Sequence, residues 1–143
     1  MQNSTNDNAD GAALDFGLVL VVGSSPVNRV VVSRIGERAG FRVVSTTPDQ
    51  AGTALSDPLP VLVVLDGGAD NGECDPFIDV LDRLRRPVSG RRAPLVILLS
   101  NHRTPDPDRE SAVDAVIAKP IMPDTLQPVM QDMIRDLQQL HSG

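Results

Sequence analysis

Short apolar runs alternate with longer mixed stretches along this chain. Runs at residues 18–22, 42–46, 61–65, 95–99 and 115–118 have strand length and are rich in β-branched residues. Between them, residues 27–39, 49–55, 75–86, a weaker piece around 106–113, and 125–140 read as helices. Their punctuation agrees: Ser25-Pro26 as cap and first turn, Gly40 as a stop, Asp75-Pro76 as a second cap with proline. Strands that alternate with helices through short links imply right-handed crossovers and a parallel sheet with both faces covered. The expected fold is therefore α/β: a doubly wound five-stranded parallel sheet of the flavodoxin-like kind, strand order 2-1-3-4-5, with helices on both faces.

That order brings strand ends together at the carboxyl edge of the sheet, where open α/β sheets place their sites. Asp66 ends the run Val61 to Leu65, Ser100 follows Leu99, and Lys119 follows Ala118. An aspartate so placed can act as a nucleophile toward a phosphoryl group if the phosphate charge is neutralised during transfer. Lys119 supplies one positive charge, the Ser100 hydroxyl a donor, and backbone N–H groups in Gly67-Gly68 further donors. The first run, by contrast, ends in Gly23-Ser24-Ser25 and brings no acid.

Composition narrows the reading. At 143 residues with 41% hydrophobics, the chain can bury one core and reads as one domain over 15–143. Residues 1–14 read as a disordered leader, since Met1 to about Asp10 offers almost nothing to bury. Three Phe and no Tyr or Trp leave Val, Leu, Ile and Ala to pack the core and provide no platform for nucleic-acid bases. A net charge of -6 also argues against nucleic acid, with one local exception in Arg83, Arg85, Arg86, Arg91 and Arg92, read as a solvated helix end and loop. Cys74 is the single cysteine, so an internal disulfide and a cysteine metal cluster are excluded. No apolar stretch approaches a membrane span and the first residues lack signal-peptide character, so a cytoplasmic location is expected.

The pattern from Val21-Val22-Gly23-Ser24-Ser25-Pro26-Val27-Asn28-Arg29, through Val64-Leu65-Asp66 and Leu98-Leu99-Ser100, to Lys119-Pro120 resembles the response-regulator receiver domain of the CheY-like superfamily. The resemblance implies Asp66 as phosphoacceptor, served by a histidine kinase or phosphotransfer protein. It implies Ser100 and Lys119 as the residues that sense the phosphoryl group and reorganise the face around the fifth strand, and a cis bond before Pro120. The departures are equally specific. The acidic pair that holds Mg²⁺ in that family falls on Gly23 and Ser24, so Asp66 alone should make a poor metal site and Mg²⁺ enters only if Asp66 is phosphorylated. The switch aromatic is replaced by Val116, the stretch from Ser100 to Lys119 is short and holds Pro105 and Pro107, and the Met-Pro after the phosphoacceptor corresponds to Ala69-Asp70. Together these describe a degenerate receiver, or pseudo-receiver.

Simpler roles stand beside these. Asp66 before Gly-Gly can cap a turn, Lys119 can be a counter-charge, and Gly23-Ser24-Ser25 can cap a helix rather than cradle an anion. His102 and His141 lack a ligand cluster and read as surface residues. In the last helix, Leu126, Met130, Met133, Leu137 and Leu140 recur at spacings of four and three, widened by Val129 and Ile134. Much of this stripe must pack on the sheet, and its breadth leaves room for an interface with a partner or a second copy. The sequence thus leads to a non-enzymatic, receiver-like domain of a two-component or phosphorelay pathway that regulates a kinase or other partner by contact, with weak or no Mg²⁺-dependent phosphorylation. The alternatives are a working phosphoacceptor using Asp66, and a flavodoxin-like binder of a nucleotide or other small molecule at the Gly23-Ser24-Ser25 loop.

Overall fold

The computed structural model describes residues 14–55, 58–67, 74–85, 93–101 and 113–142. Its strands are β1 (Leu14–Val22), β2 (Arg42–Thr46), β3 (Leu59–Asp66), β4 (Leu95–Ser100) and β5 (Ala115–Ala118). They form one all-parallel sheet in the order β2-β1-β3-β4-β5, as the alternation of the sequence requires. The described helices are α1 (Pro26–Arg38), α2 (Ala51–Ala54), α3 (Asp75–Arg85) and α4 (Pro123–Ser142).

Every residue of β3 is buried, which is the condition of a central parallel strand covered on both faces. Successive residues of the strands therefore feed two cores. Val19, Val21, Val64 and Ile97 pack with Val32 and Ile35 of α1 and with Leu126, Met130 and Ile134 of α4. Leu20, Val22, Leu65 and Leu98 pack with Phe77, Ile78 and Leu81 of α3.

The strands at the centre begin earlier than their apolar runs, and the reason is local. Between Asp15 and Val19 the β1–β3 register shifts, so that Asp15 lies beside Pro60 and Val19 beside Leu62. Here the Asp15 carboxylate accepts from the N–H of Gly17, at 2.9 Å, and also pairs with Arg42. A proline inside a central strand lacks a ladder donor and is accommodated at such an irregularity. Leu14, expected at the end of the leader, is thus the first residue of β1, while the rest of that segment lies outside the described residues.

Helix boundaries follow their caps. Ser25 is the N-cap of α1, its hydroxyl accepting from the Asn28 N–H at 3.2 Å, with Pro26 in the first turn. The expected helix over 49–55 is instead a 3-10 turn, Pro48–Gln50, followed by the single turn of α2. Gly52 and Thr53 are poor helix formers, and the Thr53 hydroxyl donates to the Gln50 carbonyl at 2.8 Å, so nothing extends the turn. Pro123 opens α4 two residues before the expected start, as a first-turn proline can. The weak helix expected around 106–113 falls outside the described residues except for Val113.

On α4, Leu126, Met130 and Ile134 are core, and Val129, Met133 and Leu137 pack against that core. The stripe is therefore as broad as the sheet it covers. Leu126 and Met130, expected at an interface, are withdrawn from solvent, and of the expected contact residues only Leu140 is strongly exposed, at 78%. Among the described residues no helix is long and apolar enough to cross a membrane.

Two outcomes test this fold. Gly40 ends α1 with φ of 101°, and a Cβ there would meet nothing within 4 Å, so Gly40→Ala isolates the backbone term. It should lower stability by about 1 kcal/mol in denaturant unfolding. Asp15 tests the β1–β2 tie. The Gly17 N–H, and then the Arg42 guanidinium, hold its carboxyl below the usual carboxylate range. A carboxyl lowered in the folded state stabilises the fold above its unfolded value, and that contribution is lost as pH falls through the folded value. Asp15→Asn should therefore flatten the acid limb of stability below about pH 4 and leave its slope near pH 7 unchanged. Arg42 is largely exposed, so the effect should be small and weaken with salt.

Candidate functional site

Register decides which residues meet at the carboxyl edge. Val22 of β1 lies beside Leu65 of β3, Asp66 beside Leu99 of β4, and Ser100 beside Ala118 of β5. The next residue of each strand then falls on one short arc: Gly23, Asp66, Ser100 and Lys119. Backbone bonds hold the arc in place, with the Gly67 N–H donating to the Leu99 carbonyl at 3.1 Å and the Lys119 N–H to the Ser100 carbonyl at 2.8 Å.

Asp66 is 3% exposed, yet it carries a carboxylate. Its charge is met from two directions. Lys119 Nζ lies 2.5 Å from Oδ1, and Asn28 Nδ2 donates to Oδ2 at 2.8 Å. Donors to both oxygens meet the charge with hydrogen bonds and fix the plane of the carboxylate. Asn28 is delivered by α1: the Ser25 cap holds its backbone N–H, and it occupies the inward register of the helix, four and seven residues before the buried Val32 and Ile35. A polar residue in that register at the start of an apolar helix face is the signal that would have singled it out as a site residue.

Gly23 closes the remaining side. A Cβ at this position would lie 2.9 Å from Asp66 Cβ, closer than real side chains approach. The Gly23 N–H donates to the Thr46 carbonyl at 3.1 Å, and its carbonyl accepts from Arg29 Nη1 at 2.6 Å. With Ser25 serving as the cap of α1, these groups of the loop are engaged within the protein, which favours capping over an anion cradle. Below the site, the buried thiol of Cys74 donates to the Asp66 carbonyl at 3.3 Å.

Mg²⁺, implied by the sequence resemblance, can be tested against this donor set. An octahedral ion held by protein uses one or two carboxylates and keeps several waters. Here the single carboxylate has an ammonium on one oxygen and an amide on the other, and Gly23 has no side chain to offer. Ser24 is exposed and brings no charge. Among the described residues no group of three or more His, Cys, Asp or Glu gathers around a common point. The described residues do not fit the ion.

The other expected residues take the following places. Ser100 is buried at the end of β4. Val116 is partly buried against the core on the α3 face. The Lys119–Pro120 peptide is cis. Gly68, Ala69, Asp70, Arg86, Arg91, Arg92, His102, Pro105 and Pro107 lie outside the described residues, as do the side chains of Arg85 and His141. Arg83 is exposed on α3.

The contact between Gly23 and Asp66 yields a prediction. Gly23→Ala adds one methyl against a buried Cβ, so it should destabilise the fold by about 1–3 kcal/mol and displace the Asp66 carboxylate. Denaturant unfolding measures the first effect, and amide shifts at Asn28 and Lys119 report the second.

No family model and no curated protein matches the chain. Solved structures do. The pseudo-receiver domain of the CikA protein superposes with a TM-score of 0.61 at 24% identity, over 82% of this chain and 96% of that one. A CheY-like receiver domain protein from Methanospirillum hungatei gives 0.69 at 15% identity, over 87% and 98%. The signal receiver domain of a histidine kinase from Syntrophus aciditrophicus gives 0.64 at 22% identity, over 84% and 91%. Over 82–87% of its length, the chain has the fold of response-regulator receiver domains.

Proposed function

We propose that this protein is an atypical receiver domain of a two-component or phosphorelay pathway, one that regulates a kinase or another partner by contact and does not depend on Mg²⁺-assisted phosphorylation of Asp66. The observation that carries this reading is the engagement of both Asp66 carboxylate oxygens by Lys119 and Asn28, beside a position that holds glycine where a second acid would be needed. To attack phosphorus, an Asp66 oxygen must first shed a donor, with the donor set around it unsuited to a metal that would compensate the phosphate charge. Among the described residues, Lys119 is the cation that touches the Asp66 carboxylate.

A role through contact is supported by an exposed flank of α1. Val27, Val30 and Val31 are 70%, 53% and 36% exposed and form an apolar strip along the flank of α1 beside the buried Val32 and Ile35. Exposed β-branched residues weaken a helix slightly, so an apolar stripe of this kind points to a surface that is covered in use.

Amide spectra test the proposal. Wild-type protein titrated with Mg²⁺ to roughly tens of millimolar, and then with beryllofluoride, should show no saturable shifts at Gly23, Gly67, Ser100 and Lys119. Saturable shifts that spread into α4 and vanish in Asp66→Asn would establish a working phosphoacceptor instead.

A further inference from the structure

We infer that Asn28 is the residue that excludes divalent cations from the Asp66 pocket, and that its side-chain amide occupies the place a metal ion would take on Oδ2. This rests on the reading of the site as a metal-independent receiver pocket and names the side chain responsible.

The argument starts from space. An acid restored at Gly23 would have to displace Asp66, because the first atom of any side chain would lie 2.9 Å from Asp66 Cβ. From the α1 side, Asn28 reaches Oδ2 at 2.8 Å. Its position is fixed twice, by the Ser25 hydroxyl on its backbone N–H and by the helix whose buried residues lock α1 onto the sheet. A cation on Oδ2 would have to displace this amide, and the displaced amide group would lose a charge-assisted hydrogen bond at a largely buried site.

Charge leads to the same conclusion. Asp66 and Lys119 neutralise one another, so among the described residues no second carboxylate touching Asp66 would compensate a divalent ion added on Oδ2. Asn28 differs from a carboxylate by one NH₂ group in place of an oxygen, with nearly the same shape. Asn28→Asp therefore places a second carboxylate against the first, exchanging a hydrogen bond for repulsion between like charges. Divalent cations relieve that repulsion by bridging two carboxylates, which is the donor set that Mg²⁺ and Mn²⁺ accept.

The test compares wild type and Asn28→Asp after removal of metal with chelator. Added Mn²⁺ should broaden no amides selectively in wild type. In Asn28→Asp it should broaden those of Gly23, residue 28 and Gly67. With Mg²⁺ at ten times its dissociation constant, the unfolding equilibrium constant of Asn28→Asp should fall about tenfold, and that of wild type should not move. If repulsion leaves the variant unfolded without metal, refolding on addition of Mg²⁺ is the expected result. An Asn28→Asp protein that is folded and indifferent to both ions overturns the inference, and so does selective broadening in wild type.

Should Asn28→Asp fail to fold in every condition, Asn28→Ala decides. With the amide gone Oδ2 is open, so Mn²⁺ should selectively broaden the Gly23 and Gly67 amides of Asn28→Ala at concentrations that leave wild type unaffected. Equal insensitivity of the two proteins overturns the inference. The reading of the pocket as phosphorylation-incompetent fails separately, through a wild-type response to beryllofluoride, so the two failures are distinguishable.

Discussion

A carboxylate that is 3% exposed at the end of a central strand must find its counter-charge inside the protein, and Asp66 finds it in Lys119. Removing one partner from such a pair leaves a stranded charge, a loss of about 3–5 kcal/mol. The pair also joins strands that are not neighbours: β3 carries the acid and β5 the lysine, with β4 between them. Since β5 is only four residues long and lies at the sheet edge, its carboxyl end depends on this tie and on the Lys119 N–H bond to Ser100. The same contact that fixes the edge of the sheet thus fills the place where chemistry would occur.

The remaining side of Asp66 is closed by α1 and by the end of β1. Gly23 lets the β1 backbone approach Asp66 as closely as it does, Arg29 holds the Gly23 carbonyl, and Ser25 turns the chain into the helix that delivers Asn28. These residues lie within seven positions of one another, so one loop and one helical turn build half of the pocket. Its rigidity comes from packing that is independent of any ligand, because Val32 and Ile35 lock α1 onto the sheet through a dry core.

Much of this is legible in the order of residues alone. Strand-length apolar runs, proline and serine caps and a stop glycine yield the alternation, and the alternation constrains the sheet order. Asp66, Ser100 and Lys119 fall on one edge because each follows an apolar run, which is a local property. The features that are not legible are set by tertiary geometry. The early start of β1 and β3 depends on how Pro60 meets the Asp15–Gly17 irregularity, which neither segment reveals alone. The apparent surplus on α4 is needed to cover the sheet, and periodicity does not measure the width of the surface a helix must cover. Asn28 is visible as part of a motif, but its partner lies 38 residues away, and only packing shows that they touch.

The glycine and the asparagine are best understood together. A receiver pocket with an acidic pair beside the strand-end aspartate and one lysine carries a formal charge of −2, which a divalent ion neutralises. With glycine and serine at the paired positions, the described residues there pair one carboxylate, Asp66, with one ammonium, Lys119. The second Asp66 oxygen still gains from a donor on the α1 side, because loss of a hydrogen bond to a buried charged acceptor is costly. A neutral amide supplies that bond without changing the charge; a lysine or arginine would overcompensate, and an aliphatic side chain would supply no donor. On the proposed reading, glycine at position 23 and the amide at position 28 are therefore two parts of one solution, in which both oxygens of Asp66 are met by the protein's own residues.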